Sequence, residues 1–133
     1  MAVVYIDFAK AFDVVSHKKL FLRLFSYGIR GKLLSWLQKL FTGRRHCTRV
    51  GVTLSNLVDL LSGVIQGSVL GPLMFIIFIN ELIGILSLLG ITVKFFADDA
   101  KMYVRIVFVN DISVRILQSA VDALSFLVIY LAT

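Results

Sequence analysis

Cysteine and proline are almost absent from this 133-residue sequence, which contains one of each, Cys47 and Pro72. A single cysteine excludes an intramolecular disulfide framework and a four-cysteine zinc site, and it fits a reducing compartment. The first residues also lack a basic segment followed by an uninterrupted apolar run, since Asp7 and Asp13 lie there. We therefore expect no signal peptide.

Charged residues are scarce as well, at 17% of the sequence, whereas 59% of the residues are hydrophobic and the mean hydropathy is +0.92. This length suits one domain. The hydrophobic share exceeds that of an ordinary soluble domain, so we expect much of the surface to be buried against other segments or partners. The net charge of +6 suits nucleic acid or an anionic membrane surface, and charge alone does not choose between them.

One charge-free stretch, residues 60–80, is long enough to cross a bilayer. Glycines and polar residues before Pro72 indicate a loop there, and Asn80 and Glu81 interrupt the apolar part that follows. We therefore expect no membrane span, although a small membrane-associated protein remains an alternative.

The patterning predicts a mixture of strands and helices without regular β-α-β alternation, hence an α+β fold with an antiparallel sheet backed by helices. Ser16 is the expected cap of the first helix, in which Leu20, Leu24 and Phe25 form the buried face and Arg23 faces water. We predict helices at 16–27, 32–41, 72–89 and in the tail, and strands at 3–6, 45–52, 56–61, 92–97 and 101–107, with turns at 53–55 and 98–100.

Three carboxylates lie where predicted strands end: Asp7, and the adjacent pair Asp98 and Asp99. Two neighbouring acids between apolar strands are unfavourable unless water or a cation neutralises them. Oxygen ligands suit Mg²⁺ or Mn²⁺, and a pair of such ions can support phosphoryl transfer. The alternative is that Asp98 and Asp99 are ordinary turn residues.

Three segments resemble the catalytic motifs of reverse transcriptases from non-long-terminal-repeat, LINE-type retrotransposons. They are YIDFAKAFDVVSH at 5–17, SGVIQGSVLGPLMFIIFINEL at 62–82 and KFFADDAKMY at 94–103, and they occur in the family's order. The resemblance covers residues 1–106, and 117–124 resembles the helix that follows. It implies a single partial domain over 1–133, a polymerase palm without fingers and thumb, with a degenerate tail at 107–133.

The resemblance also implies roles for particular residues. Asp7, Asp98 and Asp99 would be the catalytic, metal-binding acids that hold two Mg²⁺ or Mn²⁺ ions. Phe12 would be the bulky residue that presses on the sugar of the incoming nucleotide and so favours deoxynucleotides. Without the family, Phe12 is equally well explained as a core residue on a turn.

Two further nucleotide contacts are implied. Gln66 and Gly67 match the loop that touches the template base and the incoming nucleotide, and the backbone N–H of Phe8 would help to hold the triphosphate. Family members usually have proline where this sequence has Ile65, so the loop is expected to be less rigid. By themselves, Gln66 and Gly67 are only a loop before a helix.

The densest basic cluster contains Arg44, Arg45 and Arg49, which we expect to contact nucleic-acid phosphates. Neighbouring Lys32 and Lys39 are explained equally well as a solvated helix face. We predict structural roles for the two histidines, at a helix start (His17) and in a strand (His46).

The leading hypothesis is thus an RNA-directed DNA polymerase palm that in a complete polyprotein acts on an RNA template, a DNA primer and deoxynucleoside triphosphates, in the nucleus or cytoplasm. As this chain we expect it to be inactive. The alternative is a noncatalytic, domesticated fragment that binds RNA or a protein partner.

Overall fold

The computed structural model describes residues 2–88, 90–96, 99–104 and 111–132, with backbone only at 2, 104, 111–114 and 127–132. Both helices and antiparallel strands are present, which confirms the predicted α+β class. The helices are α1 (His17–Ser26), α2 (Gly31–Phe41), α3 (Leu70–Leu88) and α4 (Asp111–Ala132). The strands are β1 (Ala2–Asp7), β2 (Arg45–His46), β3 (Arg49–Val50), β4 (Thr53–Leu54), β5 (Val58–Asp59), β6 (Thr92–Phe96) and β7 (Asp99–Val104).

The main sheet is formed by β1, β7 and β6, in that order, with both neighbouring pairs antiparallel. Side chains alternate between its two faces, because successive strand residues point to opposite sides. Val4 lies opposite Met102, which is fully buried, and Ile6 lies opposite buried Ala100. This apolar face packs against the helices, and the other face is open to solvent.

Helix α3 supplies much of the core, and it contacts both α1 and β6. It begins at Leu70, so Pro72 lies in the first turn, where a missing N–H costs no hydrogen bond. By length and composition, α3 alone among the described helices could cross a membrane. Glu81, however, forms an ion pair with Arg23 of α1, and seven α3 residues are buried in the fold.

The orientation of α1 differs in part from the prediction. Leu20 and Leu24 are fully buried, as expected, but Phe25 is exposed and lies beneath the Arg30 guanidinium, 4.5 Å from the ring centroid. Because a helix turns about 100° per residue, Arg23 lies about 60° from Leu20 and Phe25 about 140°. Arg23 therefore faces α3, and its predicted position toward water was wrong.

Residues 45–59 form two short strand pairs, β2 with β5 and β3 with β4. The turn lies at Gly51 and Val52, because Val50 pairs with Thr53, so the predicted turn at 53–55 was wrong. Gly51 has φ +61°, a conformation that two-residue hairpin turns need and that glycine adopts without strain.

Two glycines of α3 provide a matched test of this packing. A Cβ on Gly71 would lie 2.5 Å from the backbone oxygen of Ile65, whereas one on Gly84 would meet nothing within 4 Å. We expect Gly71→Ala to destabilise the protein by about 1–3 kcal/mol through overpacking. Gly84→Ala should stabilise it by about 0.5–1 kcal/mol, because alanine is the better helix former. Urea unfolding followed by circular dichroism measures both, and equal unfolding midpoints would contradict the placement of the loop against α3.

Candidate active site

Asp7 and Asp99 lie directly opposite each other in the main sheet. Asp7 is the last residue of β1, Asp99 is the first of β7, and the antiparallel register pairs them. Opposed residues of neighbouring strands have Cα atoms about 4.5–5.5 Å apart and side chains on the same face. Both residues are exposed. Two acids that are about ninety positions apart in the sequence therefore lie side by side on the open face, at one end of the sheet.

This pair has the chemistry of a cation site. Like charges directly opposite each other in a sheet are destabilising, and a divalent cation removes the repulsion. Carboxylate oxygens are the ligands that Mg²⁺ and Mn²⁺ prefer, so Asp7 and Asp99 fit such an ion. The third predicted ligand, Asp98, lies outside the described residues. Within the ranges that the structure describes, no three His, Cys, Asp or Glu side chains converge as metal ligands.

Beyond the acids, the open face is aromatic and basic. Tyr5 lies opposite Lys101, whose ammonium group is 5.2 Å from the ring centroid, and Lys94 of β6 also lies opposite Lys101. All three side chains are exposed. These lysines were not among the residues predicted from the sequence, although the two-residue period of a strand places Asp99 and Lys101 on the same face.

The chain after Asp7 forms a compact turn. The N–H of Ala11 donates to Phe8 O at 3.2 Å, and the N–H of Asp13 donates to Lys10 O at 2.8 Å. Lys10 has φ +54°, which is uncommon outside glycine. The ring of Phe8 packs against Phe95, so that only its backbone is a candidate for triphosphate contact.

Phe12 lies at the end of this turn and is half-buried. Its ring is 4.3 Å, centroid to centroid, from the ring of Phe75 on α3. The side chain thus contributes to packing, as the simpler interpretation predicted, and part of it stays accessible. The structure is compatible with both interpretations of Phe12.

The loop that carries Gln66 lies against the same turn. The N–H of Val64 donates to Phe12 O and that of Gly63 donates to Val15 O, both at 2.8 Å. His17 is the first residue of α1, as predicted, and its Nε2–H donates to Gly63 O at 2.7 Å. Ser16 precedes α1, but its side chain makes no capping bond, and its backbone pairs with Ser62.

Gln66 and Gly67 are both exposed, and Gly67 has φ +80°. The Gln66 amide Nε2 donates to Asp13 Oδ1 at 2.8 Å. Gln66 and Asp13 line a cavity of about 660 Å³ together with His17, Arg44 and His46. His46 lies in a strand, as predicted. Asp13 was not among the site residues predicted from the sequence, because nothing local indicates a partner 53 positions away.

The three candidate arginines are exposed but have different partners. Arg45 Nε lies 2.9 Å from Asp59 Oδ1, and Arg49 Nε donates to Gly51 O at 2.9 Å. Arg44 donates to Leu40 O at 3.4 Å. Arg45 belongs to the β2–β5 pair, Arg49 belongs to the β3–β4 pair, and Arg44 precedes β2. Contact of these arginines with nucleic acid stays a prediction.

A second cavity, of about 410 Å³, lies between the end of β1 and the helices α3 and α4. Its lining is mainly apolar, with contributions from Phe75, Leu82 and Leu124, and Asp7 also belongs to it. Asp7 therefore lies at the boundary between the polar open face of the sheet and this mainly apolar cavity.

Comparison with known proteins identifies the family. The family described as reverse transcriptase (RNA-dependent DNA polymerase) matches residues 2–125. A retrovirus-related Pol polyprotein from the type-1 retrotransposable element R2 of Popillia japonica is 32% identical over 81 residues. That match covers 61% of this chain and 13% of the polyprotein, so the chain spans a small part of the relative's length. Enzymes of this family work with divalent metal ions, nucleotides and a nucleic-acid template and primer. The chain belongs to the reverse transcriptase family.

Proposed function

We propose that this chain is the catalytic palm of an RNA-directed DNA polymerase of the non-long-terminal-repeat type. The observation that carries the proposal is the register of β1 and β7, which pairs Asp7 with Asp99 on the open sheet face, where β1 ends and β7 begins. Its substrates would be an RNA template, a DNA primer and deoxynucleoside triphosphates. The matched retrotransposon polyprotein supports this assignment.

Asp7 and Asp99, with Asp98, would hold two Mg²⁺ or Mn²⁺ ions. When bound, such ions lower the barrier for attack of the primer 3′-hydroxyl and stabilise the leaving oxygen of the triphosphate. The carboxylates themselves position the ions and neutralise their charge. The exposure of Asp7 and Asp99 supports this role, because a substrate can reach them.

The turn after β1 and the loop before α3 would hold the nucleotide. An aromatic side chain at Phe12, fixed by Phe75, would clash with a 2′-hydroxyl and so favour deoxynucleotides. Gln66 offers a donor and an acceptor, and Gly67 allows close backbone approach. The backbone N–H groups near Phe8 would contact the triphosphate.

The bound duplex would lie on the open sheet face. Lys94 and Lys101 are exposed there, beyond the acids, and lysines attract phosphates. Phosphates of the duplex beyond this sheet would be contacted by Arg44, Arg45 and Arg49. The ion pair between Glu81 and Arg23 supports a packed α3 and argues against a membrane partner.

The metal site is tested by Mn²⁺ binding, followed by electron paramagnetic resonance. We expect Asp7→Asn, Asp98→Asn and Asp99→Asn each to weaken binding by about tenfold or more, since a charge-assisted contact is worth about 1.5–3 kcal/mol. Asp59→Asn is the control, because it removes the same charge from a carboxylate that pairs with Arg45. Equal Mn²⁺ affinity in Asp7→Asn and Asp59→Asn would contradict the site.

Polymerase activity is tested by primer extension on poly(rA) with oligo(dT). We expect negligible incorporation by this chain alone, because large apolar side chains such as Val52, Val69 and Phe96 are 80% or more exposed and need covering segments. A complete reverse transcriptase serves as the positive control. Robust incorporation that is lost in Asp7→Asn would show that the chain is itself an active enzyme.

Nucleic-acid binding is tested by titrating RNA at several salt concentrations. Lys101→Ala should weaken binding and reduce the slope of log K against log salt by about 0.7–1, the value expected for one lost phosphate contact. Lys18→Ala removes the same charge from an exposed position on α1 and should have a smaller effect. Equal effects would contradict contact on the sheet face. RNA binding that persists in chains without a metal site would favour the noncatalytic alternative.

A further inference from the structure

We infer that Asp13 is a positioning residue, which sets the orientation of the Gln66 amide and joins the Gln66 loop to the Phe12 turn. This inference builds on the proposed polymerase function and identifies a residue on which its nucleotide site depends. Asp13 would act through Gln66 and would not itself touch the reacting atoms.

The hydrogen bond between the two side chains fixes the direction of the amide. Gln66 Nε2 lies 2.8 Å from Asp13 Oδ1. An ionised carboxylate can only accept hydrogen bonds, so it selects the NH₂ end of the amide and excludes the carbonyl end. Gln66 Oε1 and the second N–H then remain available to a ligand. Both side chains are exposed, so a nucleotide or template base can reach the pair.

The backbone on either side of this bond is held independently. The Ser62 hydroxyl donates to Asp13 O at 2.8 Å, and the N–H of Val64 donates to Phe12 O at the same distance. Gly63 has φ +92°, and a Cβ there would lie 3.0 Å from Asp13 O. The two segments therefore approach as closely as glycine permits, and their spacing does not depend on the Asp13 carboxylate.

This arrangement gives the Asp13 side chain a separate role. Since backbone bonds set the distance between the segments, loss of the carboxylate should leave the fold intact and free only the Gln66 amide to rotate. Because Phe12 immediately precedes Asp13, the residue proposed to contact the sugar and the residue proposed to contact the base would belong to one rigid unit. A misoriented Gln66 would then weaken nucleotide binding without abolishing metal binding.

The contact can be measured directly in the 133-residue chain. The sequence has three glutamines, Gln38, Gln66 and Gln118, so selective ¹⁵N labelling of glutamine side-chain amides gives three pairs of nuclear magnetic resonance signals. Gln118 Nε2 lies 2.9 Å from Asp122 Oδ1, which provides a second glutamine–aspartate pair of the same kind. We expect Asp13→Ala to shift the Gln66 signals alone and Asp122→Ala to shift the Gln118 signals alone. Unchanged Gln66 signals in Asp13→Ala would overturn the inference.

The functional consequence is measured by titrating Mg²⁺ and deoxythymidine triphosphate into the same samples. We expect Asp13→Ala to raise the dissociation constant about two- to tenfold, the effect of one net hydrogen bond, with unchanged Mn²⁺ affinity and urea midpoint. Asp13→Asn keeps an acceptor but adds a competing donor, so its effect should be intermediate. Asp122→Ala should bind the nucleotide as the parent chain does.

The outcomes separate this inference from the proposed function. Shifted Gln66 signals with unchanged nucleotide affinity in Asp13→Ala would show a surface contact only and overturn the positioning role. An equal loss of nucleotide and Mn²⁺ affinity would also overturn it, because the effect would not be specific to Gln66. Failure of the parent chain to bind either Mn²⁺ or the nucleotide would overturn the proposed function, and the positioning role with it, whereas the amide signals would still decide whether the contact exists.

Discussion

The antiparallel register of β1 with β7 is the constraint on which the rest of the molecule depends. It places Val4 and Ile6 opposite Met102 and Ala100 on the buried face, and by the same alternation it places Asp7 opposite Asp99 on the open face. A slip of one residue would move every side chain of a strand to the other face. The apolar core therefore stabilises the register, and the register in turn holds two repelling carboxylates together.

Helix α3 connects this sheet to the loop that carries Gln66. Its buried residues pack against α1 and β6, and its first turn approaches so closely that Gly71 lies against the Ile65 backbone. The loop is therefore held at both ends, by α3 on one side and by the Phe12–Ser16 backbone on the other. The candidate binding residues thus lie on exposed loops whose positions are fixed by the helix and by the backbone hydrogen bonds. A ligand can reach these residues, and the loop stays ordered.

The open face separates its charges along the strands. The acids lie at one end of the sheet, where β1 ends and β7 begins. Lys101 lies two residues beyond Asp99 on β7, and Lys94 lies opposite Lys101 on β6. Under the proposed function, cations would bind at the acids and a phosphate backbone would bind at the lysines, because the two sets of charges occupy different positions. The chain belongs to the reverse transcriptase family, whose enzymes work with divalent metal ions and with a nucleic-acid template and primer.

Local patterns were sufficient to predict the α+β class and most of the helices and strands, and they indicated the candidate acids. A β-rich apolar run indicated β1, and two β-rich runs around Asp98 and Asp99 indicated the β6–β7 hairpin. The resemblance of the motifs around Asp7 and Asp99 implied a shared site, which the register supports by placing the two acids opposite each other. Asp98 lies outside the described residues, and the roles of Phe12, Gln66 and the arginines stay predictions. The direction of Arg23 and Phe25, the turn at Gly51 and the bond from Gln66 to Asp13 emerged only in three dimensions. Periodicity specifies which side of an element is apolar, but which neighbour covers it, and which distant polar group it meets, depends on how the elements pack together.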